Sequence, residues 1–151
     1  MNIGLALEID LEIERLSATV VRIEDRLKEH FASRQYGDDV QAIFIGVILT
    51  ATGSESLHPI RPLEYRKQYT FKMPITGEKR YLGNVVEFDV KPDYATVRTL
   101  NSMQADRYIV SCLVDGLAVL RQHQRKFPKF DVEQFVEDFA MCLSGNDDQQ
   151  S

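Results

Sequence analysis

Two pairs of carboxylates, Glu8 with Asp10 and Glu87 with Asp89, stand two residues apart in segments where polar and apolar residues alternate. Side chains at that spacing on an extended chain point the same way. Each pair could therefore act as acid and base in a glycosidase-type hydrolysis, which needs carboxyl groups roughly 5–9 Å apart. The solvent side of an ordinary sheet carries the same pattern, and the chain has neither a Trp to platform a sugar nor a companion His beside either pair. His30, His58 and His123 share no HExxH or HxE spacing with a metal-binding partner, and there is no CxxC. The phosphate cradles GxGxxG and GxxxxGK[ST] and the nucleophile elbow GxSxG are missing too. Cys112 lies in an apolar helical stripe, where a thiol packs rather than attacks, so a Cys112–His123 nucleophile is disfavoured. These residues argue for a protein that is not an enzyme and has no cofactor or metal, with a small carboxylate-dependent hydrolase as the weaker alternative.

The 151 residues are 44% hydrophobic and 27% charged, with a net charge of -5. That is the size and composition of one ordered domain, placed at 1–144 with a polar flexible tail at 145–151. No apolar run reaches the roughly 18 residues of a membrane span, and the acidic balance opposes whole-protein attraction to nucleic acid or membrane. Met1 to Asp10 lacks the basic start of a signal peptide, and Cys112 and Cys142 form no disulfide scaffold, which suggests a cytoplasmic protein.

Ile3, Leu5, Leu7 and Ile9 alternate with polar or small residues, predicting a strand. Ile13, Leu16, Val20, Ile23, Leu27 and Phe31 then form one stripe of a long helix, with Asp10 as its cap and Gly37 at its exit. The β-branched run Ile43 to Leu49 is apolar on both faces and predicts a central strand. Ala51 to Pro62 is a loop. Leu63, Tyr65, Tyr69, Phe71, Met73 and Ile75 share one phase of a further strand, interrupted at Lys67, and Thr76 to Lys79 turns the chain into an antiparallel return strand through Val90. After Pro92 a helical stripe runs from Met103 to Leu120. Pro128 ends it, and Asp131 with Gln134 has the form of a capping box for a last helix. The expected architecture is α+β in the order β-α-β-β-β-α-α, a mainly antiparallel four-stranded sheet with helices on one face.

On such a sheet Ile43, Ile45, Val47 and Leu49 face the helices. Phe44 and Ile48 then point outward among Glu8, Arg66, Gln68, Glu87 and Asp89, giving apolar centres rimmed by charge, which is the anatomy of a protein-binding patch. Alternatively, the Ala51 to Pro62 loop covers this face. Charge is also uneven: residues 61–80 carry six cations against two carboxylates, and residues 131–151 carry six carboxylates and no cation. The aromatic residues of the basic hairpin fall on its apolar phase, which assigns them to the core rather than to nucleic-acid stacking.

Several short strings, in this order, resemble the immunity protein 44 family. They are Tyr36-Gly37 before the Ile43 to Leu49 strand, Glu64-Tyr65-Arg66-Lys67, Phe88-Asp89-Val90-Lys91-Pro92-Asp93-Tyr94, and the Phe130 to Phe135 helix start, across about residues 1–143. The resemblance implies an immunity protein that binds and neutralises a cognate bacterial toxin effector domain by blocking its active site or substrate path. The family carries no catalytic residues to this chain. No toxin-contact position is carried over from the family either; the partner surface is expected from the outward phase of the strands, at Glu8, Phe44, Ile48, Arg66, Glu87 and Asp89. A non-catalytic adaptor or a self-associating homodimer is the alternative use of the same face.

Overall fold

The computed structural model describes residues 1–51 and 60–150, with side chains described as far as Ser144. The alternating segment forms β1 (Asn2–Ile9). A 3-10 turn at Leu11–Leu16, kinked at Ile13, leads into α1 (Ser17–Phe31). β2 (Ala42–Leu49), β3 (Glu64–Lys72) and β4 (Lys79–Val90) follow. The C-terminal part is helical: α2 (Tyr94–Thr99), α3 (Ser102–Gly116), α4 (Ala118–Gln122) and α5 (Val132–Gln150).

The sheet is mixed and mostly parallel, in the order β1-β2-β4-β3, which corrects the antiparallel expectation. β1 pairs parallel with β2 and β2 parallel with β4, while β3 and β4 alone form an antiparallel pair. The reason lies in the connections. A helix the length of α1 carries the chain back, so that Asn2 and Ala42 begin their strands side by side, and strands joined by such a crossover are parallel. β3 does not pair with β2 at all, because the hairpin folds so that β4 takes the place beside β2. The helical stretch after Pro92 is also more divided than its stripe suggested. Asp93 caps α2 through the Thr96 amide, Leu100 is extended, and Asn101 with Gln104 builds a reciprocal capping box that starts α3. At the last helix only half of the expected box forms: Asp131 accepts from the Gln134 amide, but the Gln134 side chain turns to Asp138. Asp10 makes no helix cap, and its carboxylate instead accepts the Ala51 amide at 2.9 Å.

Ile43, Ile45, Val47 and Leu49 of β2 join Val86, Phe88 and Val90 of β4 in one core with the apolar residues of α1, α3, α4 and α5. Its densest part is aromatic: Phe31, Tyr36, Phe130, Phe135 and Phe139 stack with ring centroids 5.2 to 6.3 Å apart. Tyr36 reaches this cluster because Gly37 turns at φ 121°, where a Cβ would stand 1.7 Å from the Lys129 carbonyl oxygen. The Asp131 amide donates to the Tyr36 carbonyl at 2.8 Å, tying the exit of α1 to the start of α5. The Tyr36 hydroxyl donates to Asp138, and burial together with that carboxylate pushes the phenol well above its usual range. Truncating the central ring, Phe135→Ala, should lower unfolding stability by about 3–5 kcal/mol, read as a drop in the urea midpoint at unchanged slope.

His30 lies beside this cluster with its Nε2 buried and unpartnered. Burial, then Arg34, lower its pKa, against an opposing pull from Asp138. A base whose folded pKa is depressed takes up its proton more readily in the unfolded chain. Its stabilising contribution is therefore complete above the unfolded value of about 6.5 and is lost as pH falls below it. Stability should decline between about pH 7 and 5, and His30→Gln should flatten that decline in denaturation curves taken across the range.

Candidate partner-binding face

The parallel register sets side chains of the outer sheet face in rows. Gly4, Phe44, Glu87 and Glu64 form one row across all four strands, Ala6, Gly46 and Asp89 the next, and Glu8 stands beside Ile48 beyond them. Arg66 lies opposite Val85 on the same face. Glu8, Phe44, Ile48, Arg66, Glu87 and Asp89 thus share the outer face, away from the core, with Glu8 and Arg66 at opposite corners of it. Two of them are not available as contacts: Ile48 is 3% exposed, and the Asp89 side chain, also 3% exposed, is occupied by Arg61. Arg61 donates to Asp89 from its backbone amide at 2.9 Å, from Nε at 3.1 Å and from Nη2 at 2.9 Å. That contact raises the guanidinium pKa further. Arg61 belongs to the segment expected to cover this face; residues 52–59 of it, including His58, lie outside the described residues.

Two glycines make the floor. A Cβ on Gly4 would lie 2.6 Å from the Phe44 ring, and one on Gly46 would lie 2.1 Å from Asp89 Oδ1. The ring and the Asp89–Arg61 pair lie across the backbone of the neighbouring strand because nothing projects there. Beside them opens a groove of about 470 Å³, walled by Tyr69, Phe71 and Leu82 and closed at the β1 side by Glu24 and Lys28.

The aromatic walls correct the assignment of these residues to the core. Tyr65 does pack inward, 5.4 Å from Phe127. Between Arg66 and Tyr69 the β3–β4 register shifts, with Gln68 at φ 51°, and the extra residue moves Tyr69 and Phe71 to the other face. Lys67, which broke the apolar phase, marks this bulge and was the signal for it. For Gly4, Gly46 and Arg61 the signal was weaker: a glycine inside a strand implies close approach of a neighbour without saying whose.

Charges around the groove are paired within the face. Glu24 accepts the Leu5 amide at 2.6 Å and meets Lys28 at 3.4 Å. Arg66 contacts Glu64 at 2.7 Å and Glu87 at 3.6 Å, with its guanidinium 5.4 Å from the centre of the Tyr69 ring. Asp89 is thus engaged by Arg61 and Glu87 by Arg66, and the Asp10 carboxylate accepts the Ala51 amide. Among the described residues no three His, Cys, Asp or Glu side chains gather as metal ligands, and no helix is long and apolar enough to cross a membrane. Cys112 and Cys142 are free, and burial raises both thiols.

Fold and face define an α+β domain whose mixed sheet is backed by helices on one side and presents an aromatic-walled groove on the other. The chain belongs to the immunity protein 44 family, which it matches over residues 1–145. Comparison with curated proteins and with solved structures finds no match.

Gly46→Ala tests the floor directly. The added methyl must displace the buried Asp89 carboxylate from Arg61, and the variant should lose about 1–3 kcal/mol of stability in chemical denaturation.

Proposed function

We propose that this protein is an immunity protein that binds a toxin effector domain and neutralises it by covering its active site or substrate path, with the outer sheet face as its contact surface. The observation that carries the reading is the groove beside Phe44 in a chain of an immunity protein family. Its centre is apolar, its floor is fixed by Gly4 and Gly46, and its rim charges are already paired, so a partner can bury the centre without stranding a charge. Phe44, Tyr69 and Phe71 supply aromatic anchors of the kind that carry binding energy, and Glu87 and Arg66 supply the polar rim. The proposed contacts are therefore Phe44, Glu87 and Arg66 with Glu8 at the margin, whereas Ile48 and Asp89 support the face from beneath. Action within the cytoplasm, where a delivered toxin would be met, is part of the same proposal.

Co-expression with candidate toxin effector domains drawn from genes adjacent to this one tests it. The wild-type protein should restore growth and co-purify. Phe44→Ala combined with Glu87→Lys should weaken the complex by about tenfold or more while leaving the thermal midpoint close to wild type. An unchanged dissociation constant in that variant rejects the face; absence of both rescue and co-purification rejects the function.

A further inference from the structure

The β3–β4 hairpin outruns the rest of the sheet. β2 pairs with β4 only from Ala42 opposite Val85 onward, and the Gln41 amide holds the Asn84 carbonyl at 2.8 Å, so residues 79–82 of β4 and the facing part of β3 project as a two-stranded arm. The turn is closed by the Met73 amide donating to the Glu78 carbonyl at 2.7 Å and the Gly77 amide to the Met73 carbonyl at 2.9 Å. Apolar side chains along it lie in the open: Ile75 is 98% exposed, Tyr81 68% and Phe71 38%. An arm that buried these groups against its own domain would need no partner, but this one leaves its apex uncovered.

Its charges differ from those of the groove. Lys72 stands directly opposite Lys79, and Arg80 stands opposite Phe71. Like charges paired across strands oppose the pairing. Among the described residues none of Lys72, Lys79 and Arg80 has an acidic partner, whereas Lys28, Arg61 and Arg66 beside the groove all do. The molecule thus holds three unpaired cations and an aliphatic tip on a projecting ribbon, continuous with the groove through Phe71.

We propose that this arm is a second docking element, which inserts Ile75 into an apolar recess of an acidic surface on the protein partner while Lys72, Lys79 and Arg80 meet its carboxylates. The proposal rests on the toxin-binding reading and adds the chemistry of the partner: acidic where it meets the arm. A protein surface fits better than a nucleic acid. Tyr81 and Phe71 have ring faces that could stack on bases, but Ile75, the most exposed apolar group of the arm, can neither stack on a base nor hydrogen bond to one, and the net charge of -5 repels a long polyanion while tolerating a compact acidic patch.

Binding kinetics with the toxin domain that the co-expression experiment identifies test the arm. Lys72→Glu with Arg80→Glu should slow association by about tenfold at low salt, with the gap closing as salt rises, because exposed charges act mainly on the encounter rate. Ile75→Ala should instead speed dissociation. Lys72→Glu alone places opposite charges across the ribbon, so its thermal midpoint should equal or exceed wild type while association slows. That pairing of outcomes separates lost binding from lost folding. Arm variants that bind like wild type while Phe44→Ala still weakens the complex would overturn the arm and leave the function standing. A wild-type protein that fails to bind the toxin domain at all overturns both. Binding of a labelled single-stranded oligonucleotide by the wild type, lost in the same charge variants, would overturn the assignment to a protein surface.

Discussion

Parallel alignment of β1, β2 and β4 places Gly4, Phe44 and Glu87 side by side, and the outer face is built on that row. The Phe44 ring occupies the space that a side chain on Gly4 would fill, and one row along, Asp89 reaches over Gly46 to meet Arg61 for the same reason. A shift of one residue would turn Ile43 and Ile45 outward and bury Phe44 and Glu87, so the core and the groove enforce the same register from opposite sides. The helices are part of this constraint. α1 makes the alignment parallel, packs Val20, Ile23, Leu27 and Phe31 on the inner side, and sends Glu24 and Lys28 to the margin of the groove.

Much of this is legible in the residues. The β-branched run through β2 identified a central strand, and a run apolar on both faces is also the mark of a parallel strand buried from both sides. With a helix-length connection before it, that run carries more information about topology than the hairpin does. The alternation in β3 was real, but Lys67 within it recorded a change of phase, which moved Tyr69 and Phe71 out of the core. Spacing places both members of Glu87 and Asp89 on one face. It does not reveal that Arg61, from a distant part of the chain, claims the second of them. Caps show the same limit: Asn101 with Gln104 and Asp131 with Gln134 look alike in sequence, and the nearby Asp138 decides that only the first closes reciprocally.

The uneven charge of the chain acquires a geometry. Around the groove, cations and carboxylates neutralise one another at short range and leave an apolar centre. On the arm they do not, and the long acidic helix α5 is packed among the helices on the opposite side of the sheet. A molecule of this kind has a direction in an electric field, so a partner with unevenly distributed charge would be turned before contact as well as attracted.

Both edge strands of the four-stranded part of the sheet are interrupted. On β1, Glu24 takes the Leu5 amide at 2.6 Å, a position where a neighbouring chain would have to pair. On β3, the bulge at Gln68 and the charge of Lys67 interrupt the ladder. A protein that keeps an apolar groove and an aliphatic tip in water while awaiting its partner runs the hazard of stacking into fibrils with copies of itself. Here the Glu24 contact on β1 and the bulge in β3 place interruptions at the two borders where such stacking would begin.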